Sequence, residues 1–294
     1  MSTVELDKYK KFDKYFTIKL LLEEEIKNSV PTEECAVLLS GGVDSLSVAF
    51  AAANLDKKIT AYSFFLKDNP SYDFKFAEGT AHHFGWDFKG IEIDMSDFAV
   101  RFKDLVKLRC VKKTHFECVF PFLYVYPQIK EKYVLSGWAA DGYFGVSKKA
   151  NMHYKHTKEK FDEFRDDYFQ PENQAGYLWH RKVSDMHDKI FVTPYLSQSV
   201  KEYFYQFTWE ELNKPKQKHH VREAFGQFNL KVPRPHKNLQ IDSGITKAFE
   251  RLVLPNKGLN PYGRKRIIDV CRDWNKVVVP LEGNNYVIDY LNDV

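Results

Sequence analysis

The sequence has little of what characterises secreted, membrane-spanning or fibrous proteins. It contains four cysteines in 294 residues, and none forms a CxxC pair or a zinc-binding spacing, which is typical of free thiols in a reducing compartment. No apolar run approaches the ~20 residues of a membrane span, and the N-terminal segment is charged where a signal peptide is apolar. Glycine and proline are too scarce for a fibrous or disordered chain. We therefore expect a globular, cytoplasmic protein that does not bind to membranes.

The chain also lacks a strong excess of charge of one sign. Lys and Arg number 44 against 40 Asp and Glu, which gives a formal net charge of +4, and both signs are interleaved along the chain. This balance disfavours an obligate nucleic-acid partner. Apolar side chains, in contrast, make up 44% of the composition, so a chain of this length can bury a sizeable core.

The spacing of apolar positions changes along the chain. Residues 5–29 follow a helical spacing among many charges, which predicts an amphipathic helix within an N-terminal extension over residues 1–30. Residues 31–294 are expected to form one domain, mainly helical from about residue 155. Its first part alternates helix-like segments with four predicted strands, at residues 35–40, 58–66, 88–94 and 132–137. This alternation predicts an α/β fold with a twisted parallel sheet, flanked by helices, whose ligands lie at the carboxyl ends of the strands.

The string SGGVDS follows the first predicted strand and opens a helix. Gly41 and Gly42 leave room for a phosphate at the helix N-terminus, where unpaired N–H groups and the helix dipole favour anions. Ser40 and Ser45 add hydroxyl donors, whereas Asp44 would repel phosphate unless Mg²⁺ lies between them. Neither the P-loop pattern nor the dinucleotide fingerprint is present. The string therefore predicts a site for a nucleotide and a metal, and the alternative is a tight turn in which Asp44 caps the helix.

The loop SGGVDS resembles the pyrophosphatase (PP) loop of the ATP pyrophosphatases, which split ATP between its α and β phosphates to adenylate a substrate. Within that superfamily the sequence is most similar to the synthetase domain of asparagine synthetases and to β-lactam synthetase. The resemblance runs from residue 35 to about residue 240, through the segments LLSGGVDS (38–45), Ser63–Phe64, Asp73, HHFG (82–85), SGWAADGYFGV (136–146), TPYL (193–196), KHHVREAF (218–225) and RPHK (234–237). It implies an adenine nucleotide alpha hydrolase-like sheet of about five strands and the use of ATP and Mg²⁺.

The resemblance also implies roles for individual residues. Asp44 and Asp141 would bind Mg²⁺. Lys218, Arg222 and Asp141 would be catalytic, with Lys218 stabilising negative charge in the transition state; the alternative for Lys218 is a basic surface face. The residues implied to bind ATP are Leu39, Ser40, Gly41, Gly42, Asp44, Ser45, Ser63, Leu66, Ser136 and Gly137.

Two glutamates of the family's second loop are replaced in this chain, by Trp138 and Gly142. Asparagine synthesis stays one candidate, but the loss of an acid near the acceptor supports another acceptor at least as well. The indole is either a stacking surface for a ring or a packing residue. Arg234 and Lys237 are the other candidates for substrate contact. No glutaminase domain is recognised in the sequence, and Ser2 stands where its catalytic cysteine would be. We therefore expect nitrogen from free ammonia, from another amine or from a separate amidotransferase.

These observations predict ATP-dependent adenylation of a carboxylate or amide oxygen, release of pyrophosphate, and attack by ammonia or an amine. The substrate would be a small-molecule carboxylate or a nucleotide-like compound. One alternative is a PP-loop enzyme that modifies a nucleobase, a nucleotide or tRNA, for which the basic stretch at residues 148–160 is the support. Another is a module that binds adenine nucleotides without turnover, which the altered second loop permits.

Overall fold

The core of the protein is a parallel β-sheet, seen in a computed structural model that describes residues 13–67, 69–97, 101, 104–105, 108, 117–170, 173, 175–230 and 243–248. Five strands of the described chain pair in the order β3-β2-β1-β4-β5, and every pair is parallel. They are β1 (Glu34–Leu38), β2 (Lys58–Leu66), β3 (Asp87–Ile93), β4 (Tyr133–Leu135) and β5 (Ile190–Val192). The chain runs outward from β1 to β3 and then crosses back to β4. β1 and β4 therefore flank a topological switch point, where open α/β sheets bind ligands.

Helices connect the strands and cover the sheet. In chain order they are α1 (Lys14–Ser29), α2 (Val43–Asn54), α3 (Tyr72–Phe84), α4 (Phe122–Val125), α5 (Ala140–Phe144), α6 (Lys148–His153), α7 (Lys158–Tyr168), α8 (Ala175–Met186), α9 (Gln198–Phe204), α10 (Trp209–Asn213) and α11 (His219–Ala224). Within the described residues, none of these helices is long and apolar enough to cross a membrane.

The two faces of the sheet bury two separate apolar clusters. Side chains alternate along a strand, so Cys35 and Val37 of β1 belong to one cluster, whereas Ala36 and Leu38 belong to the other. The first cluster includes side chains of α1 and α2, and the second includes side chains of α4 and α8. Because both faces are covered, β1 is a continuous apolar run rather than an alternating one.

The predicted α/β fold class is confirmed, and the four predicted strands agree with the observed ones to within two residues at each end. Strand β5 is an exception to the mainly helical character predicted after residue 155. It has three residues, too few to show the alternation that identifies a strand in a sequence. Its pairing with β4, which places Ile190 opposite Tyr133 and Val192 opposite Leu135, defines it instead.

The predicted N-terminal helix is present as α1, and residues 1–12 of the predicted extension lie outside the described residues. Asp13 caps the helix, because its carboxylate accepts a hydrogen bond from Tyr15 N at 2.7 Å. The apolar face of α1 is fully or almost fully buried in the first cluster through Ile18, Leu21, Leu22 and Ile26. Helix α1 therefore forms part of the core that the sheet builds.

The end of α1 that carries Tyr15 contacts α11. Tyr15 Oη lies 3.3 Å from Nε2 of His219. Tyr203 Oη, on α9, donates to Lys14 O at 2.9 Å and lies 2.8 Å from Nδ1 of His220. These hydrogen bonds join α1 to α9 and α11, next to Lys218, the residue that precedes α11.

Candidate active site

The predicted phosphate loop lies at the carboxyl end of β1, in the centre of the sheet. Helix α2 begins at Val43, with Gly42 as its N-cap residue. Gly41 has a φ of +71°, and a Cβ atom there would lie 2.5 Å from Cδ1 of Phe76, so this turn requires glycine. The loop thus presents the N-terminus of a 12-residue helix to the cleft beside it, which is the arrangement that binds phosphate.

Two serine hydroxyls of this loop hydrogen-bond within it. Ser45 Oγ accepts from Ser40 N at 3.2 Å and donates to Gly42 O at 3.2 Å. Ser40 Oγ lies 3.2 Å from Ser45 Oγ, and both residues line the cleft. These bonds hold the two hydroxyls where a phosphate at the helix N-terminus would meet them.

The second loop follows β4 and touches the first. A Cβ atom at Gly137 would lie 2.3 Å from the carbonyl carbon of Asp44, so a larger residue at this position would displace the phosphate loop. Ser136 Oγ accepts a hydrogen bond from Trp138 N at 3.2 Å, which closes the turn after the strand. The two loops therefore meet at the switch point between β1 and β4.

The two predicted Mg²⁺ ligands meet at the side chain of Lys218. Lys218 Nζ donates to both carboxylate oxygens of Asp44, at 2.7 and 2.5 Å, and to Oδ1 of Asp141 at 2.6 Å. Lys218 is 3% exposed, so the alternative of a basic surface face is wrong. The alternative in which Asp44 caps its helix is also wrong, since Gly42 is the N-cap residue and no side chain caps α2. We call Asp44, Asp141 and Lys218 the carboxylate–lysine cluster.

Burial and charge act in opposite directions on the cluster. Burial raises the pKa of Asp44; Lys218 lowers it, and Asp141 raises it again. Burial alone would lower the pKa of Lys218, but the two carboxylates raise it above its usual value. The ammonium group therefore stays charged at neutral pH while two carboxyl groups compete for it.

The carboxylate pair fits Mg²⁺ that binds together with a nucleotide. Mg²⁺ is usually held by one or two carboxylates, with water and phosphate oxygens completing its shell. Asp44 and Asp141 offer that pair, and their side chains are 21% and 39% exposed in the cleft. Within the described part of the chain, no group of three or more His, Cys, Asp and Glu side chains is placed to hold a metal. A metal at this cluster would thus depend on phosphate and water for its remaining ligands.

Asn213 holds Lys218 in an unusual backbone conformation. Lys218 has a φ of 60°, in the left-handed region, and its backbone N–H donates to Oδ1 of Asn213 at 3.1 Å. The amide nitrogen of Asn213 donates to Phe144 O and to Trp209 O, both at 2.9 Å. Asn213 is buried, and it ties the lysine to the helix that carries Asp141. No local sequence pattern marks this role, because Phe144 is 69 residues away.

Arg222 lies one helical turn after Lys218 and does not line the cleft. Its Nε donates to Gln217 O at 2.9 Å, which braces the turn before the lysine. Burial lowers the pKa of the guanidinium, and Asp44 raises it. A catalytic role for Arg222 stays a prediction.

The cleft between the loops has a volume of about 360 Å³ and collects most of the predicted site. The predicted residues that line it are Leu39, Ser40, Gly42, Asp44, Ser45, Ser63, Ser136, Gly137, Trp138, Asp141 and Lys218. Gly41 and Leu66 do not line the cleft. Gly41 allows the tight turn of the phosphate loop, and Leu66 is buried at the end of β2, opposite Ile93. Arg234 and Lys237 lie outside the described residues.

Comparison with known families decides the family of this protein. The sequence profile of the asparagine synthase family matches residues 17–227, which include both loops and the carboxylate–lysine cluster. The chain belongs to this family. No curated protein matches the chain by sequence. The resemblance inferred from the loop SGGVDS is thereby confirmed at the level of the family.

Several solved structures share a weak likeness with this asparagine synthase family chain. NMN synthetase from Francisella tularensis is 15% identical, with 78% of this chain and 100% of that chain covered and a TM-score of 0.33. The NH₃-dependent NAD synthetase from Campylobacter jejuni is 15% identical, with 76% and 97% covered and a TM-score of 0.30. A "predicted subunit of tRNA methyltransferase" from Methanocaldococcus jannaschii is 13% identical, with 69% and 93% covered and a TM-score of 0.31. Similarity at this level transfers none of these activities to the chain.

The structure explains why this family member has glycine at position 142. A Cβ atom at Gly142 would lie 2.3 Å from Cδ1 of Tyr168, so the tyrosine ring fills the space into which a glutamate would extend. Trp138, the other replacement, lines the cleft and packs against both apolar clusters, with its ring 5.5 Å from that of Tyr177. The indole is therefore a packing residue and a wall of the cleft at once.

Several further residues line the cleft without having been assigned to the site from sequence. The sequence does indicate Asp73, because its position ten residues after Ser63 agrees with the family pattern. Neither the family pattern nor any local spacing indicated Phe122 or His180, which lie on helices outside both loops. The additional lining residues include Tyr62, Asp73, Phe122, His180 and Gln217.

Proposed function

We propose that this protein is an ATP-dependent, AMP-forming ligase that adenylates a small-molecule carboxylate and passes its acyl group to ammonia or another amine. The observation that carries the proposal is the carboxylate–lysine cluster at the junction of the two loops. The phosphate loop, the second loop and a buried lysine converge there from residues as far apart as 44 and 218. Membership of the asparagine synthase family supports the ATP-dependent ligase class.

In the proposed reaction, an oxygen of the substrate attacks the α-phosphorus of ATP. The bond from that phosphorus to the bridging oxygen breaks, and pyrophosphate leaves with the electron pair. Negative charge grows on the leaving group, where the N–H groups of the phosphate loop and the Lys218 ammonium stabilise it. Mg²⁺, held by Asp44 and Asp141, would add positive charge beside the phosphates. The amine then attacks the acyl carbon, the bond from that carbon to the AMP oxygen breaks, AMP leaves with the electron pair, and the amine nitrogen releases a proton to water.

The acceptor is proposed to differ from aspartate, because Trp138 stands where the family has an acid close to the acceptor. The nitrogen donor is proposed to be free ammonia, an amine or ammonia delivered by a separate amidotransferase. Nucleic acid is the less favoured substrate, since two of the five lysines of the stretch 148–160 pair with acids. Lys149 Nζ lies 3.2 Å from Oδ2 of Asp167, and Lys158 Nζ lies 2.5 Å from Oδ2 of Asp162.

The test is a pyrophosphate-release assay with ATP, Mg²⁺ and a panel of carboxylates, with and without ammonium, and with AMP quantified in parallel. We expect pyrophosphate and AMP in equal amounts with at least one acceptor. Asp44→Ala should abolish turnover, whereas Asp87→Ala, which removes an exposed aspartate at the start of β3, should leave it unchanged. Tight ATP binding without pyrophosphate for any acceptor would contradict the proposal and favour a nucleotide-binding module.

A further inference from the structure

The ammonium group of Lys218 lies between the two predicted metal ligands. Its Nζ is 2.7 and 2.5 Å from the carboxylate oxygens of Asp44 and 2.6 Å from Oδ1 of Asp141. Mg²⁺ binds carboxylate oxygens at about 2.0–2.1 Å, so an ion held by both side chains would be in direct contact with the ammonium. Two cations at that distance repel each other strongly. Lys218 and a metal therefore compete for the same pair of carboxylates.

Leaving the cluster would be costly for Lys218 in the nucleotide-free protein. The residue is 3% exposed, and within the described part of the chain its ion pairs are those with Asp44 and Asp141. A buried ammonium without an ionic partner is strongly unfavourable. Asn213 also holds the backbone of Lys218, so any rearrangement has to come from the side chain alone. Without a nucleotide, we therefore expect the ammonium to keep its place and a metal to bind weakly.

A triphosphate in the cleft would change this balance, because Lys218 lines the same cleft. It is the only lysine or arginine among the described residues that line it, which also include Ser40, Gly42 and Ser45 at the N-terminus of α2. Phosphate oxygens would give the ammonium a new ionic partner. They would also supply oxygen ligands that two carboxylates alone do not offer to Mg²⁺. One ligand thus removes the competitor and completes the metal site.

We propose that Lys218 couples metal binding to nucleotide binding. Its ammonium holds the place of the metal in the nucleotide-free protein, and the phosphates of ATP draw it away, so that Mg²⁺ binds the cluster only together with the nucleotide. This inference rests on the proposed function, because it assumes that the cleft binds ATP and Mg²⁺. A neutral side chain at position 218 should therefore change two affinities in opposite directions. The affinity for the metal alone should rise, and the affinity for metal-free nucleotide should fall.

Metal binding without nucleotide tests the first half of the inference. Mn²⁺, a paramagnetic substitute for Mg²⁺, is titrated into the protein, and the free ion is followed by electron paramagnetic resonance. We expect Lys218→Met to bind Mn²⁺ at least about tenfold more tightly than the unmodified protein, because the competing charge is gone. Mg²⁺ should displace this Mn²⁺ and raise the Tm of the variant but not that of the unmodified protein. Lys149→Met, which removes an exposed ion pair with the single carboxylate of Asp167, is the matched control and should leave Mn²⁺ binding unchanged.

Nucleotide binding without metal tests the second half. Calorimetric titrations in the presence of EDTA use α,β-methylene-ATP, which cannot be cleaved between its α and β phosphates. We expect Lys218→Met to bind this compound at least about tenfold more weakly than the unmodified protein, because the phosphates lose their cation and meet two unpaired carboxylates. A merely damaged cleft would weaken both ligands, so a gain for the metal together with a loss for the nucleotide identifies the competition.

Lys218→Gln, whose amide can donate to one carboxylate, is the second neutral replacement and serves where the methionine variant does not fold. Equal Mn²⁺ affinity of the unmodified protein and a folded variant would overturn the inference. Adding Asp141→Asn should remove the gained affinity, and its persistence would overturn the inference as well. Pyrophosphate release by the unmodified protein, with no gain of Mn²⁺ affinity in the variants, would leave the proposed ligase standing and remove the competition. Tighter Mn²⁺ binding by the variants, with no pyrophosphate release from the unmodified protein for any acceptor, would do the reverse.

Discussion

Replacing Lys218 with methionine should destabilise the protein in a pH-dependent way. Methionine matches the length of the lysine side chain but leaves Asp44 and Asp141 facing each other without the ammonium that both contact. Asp44→Asn should be far milder, because one carboxylate remains paired with Lys218 and the new amide oxygen can still accept from Nζ. The two variants thus separate the charge balance of the cluster from the mere loss of a polar contact.

The expected magnitude follows from burial. Removing one partner of a fully buried ion pair costs about 3–5 kcal/mol. Lys218 is buried, but the aspartate side chains are 21% and 39% exposed, so water screens part of the repulsion that remains. We expect a loss of about 2 kcal/mol at pH 8, or about 4 °C in Tm for a chain of this size. The double variant Lys218→Met/Asp44→Asn should recover about half of this loss.

The sign of the pH effect can also be worked out. In Lys218→Met, burial and the neighbouring Asp141 raise the pKa of Asp44 above that of the unfolded chain, because the lysine that lowers it is gone. The folded variant then binds more protons than the unfolded chain, so its stability rises as the pH falls. The difference in Tm between the variant and the unmodified protein, measured by thermal denaturation, should therefore become smaller from pH 8 to pH 6. An unchanged Tm at pH 8, or a gap that does not vary with pH, would refute this account of the cluster.

Three other substitutions test the packing around the cluster. Gly137→Ala should abolish ATP binding in a fluorescence titration and lower the Tm, because its Cβ would lie 2.3 Å from the phosphate-loop backbone. Gly226→Ala is the control: its Cβ would have no atom within 4 Å, so ATP binding and Tm should both stay unchanged. Gly142→Glu should lower the free energy of unfolding in urea by about 2 kcal/mol or more, because the new side chain would overlap with the ring of Tyr168. Adding Tyr168→Ala should restore part of this stability, and no restoration would contradict the steric explanation. Asn213→Ala leaves the N–H of the buried lysine unpaired and should cost about 1–3 kcal/mol. Its kcat for pyrophosphate release should also fall, and an unchanged kcat would contradict a positioning role.

Local patterns in the sequence are enough to predict the parallel sheet and the phosphate loop. The run CAVL before SGGVDS predicts a buried strand that ends in an anion site, because both the apolar run and the two glycines are local features. The pairing of Asp44 with Asp141 follows once both are placed after neighbouring strands. The family resemblance, rather than any spacing, supplied Lys218, which lies 174 residues from Asp44.

No local sequence pattern predicts the aromatic residues around His180 in the cleft, or Asn213, which hydrogen-bonds to the backbone of Lys218. His180 is one histidine in a helix, and only its position against Phe122 and Phe191 makes it part of a wall. Asn213 resembles any polar residue near a helix end until the fold brings Phe144 to its amide group. Contacts between distant segments leave no periodic trace in either segment. Sequence alone therefore predicts the proposed ATP-binding loops better than the acceptor on which the protein would act.

The contact between α1 and α11 can form only late in the synthesis of the chain. Tyr15 and His219 are 204 residues apart, so at about 5–20 residues per second a ribosome needs about 10–40 s between them. During that time the phosphate loop is present but Lys218 is not, and α1 lacks the helix against which it finally packs. A chain released before residue 218 would thus contain the SGGVDS motif but lack the lysine of the proposed reaction. Removing residues 1–15, or all residues from 219 onward, would break the same contact.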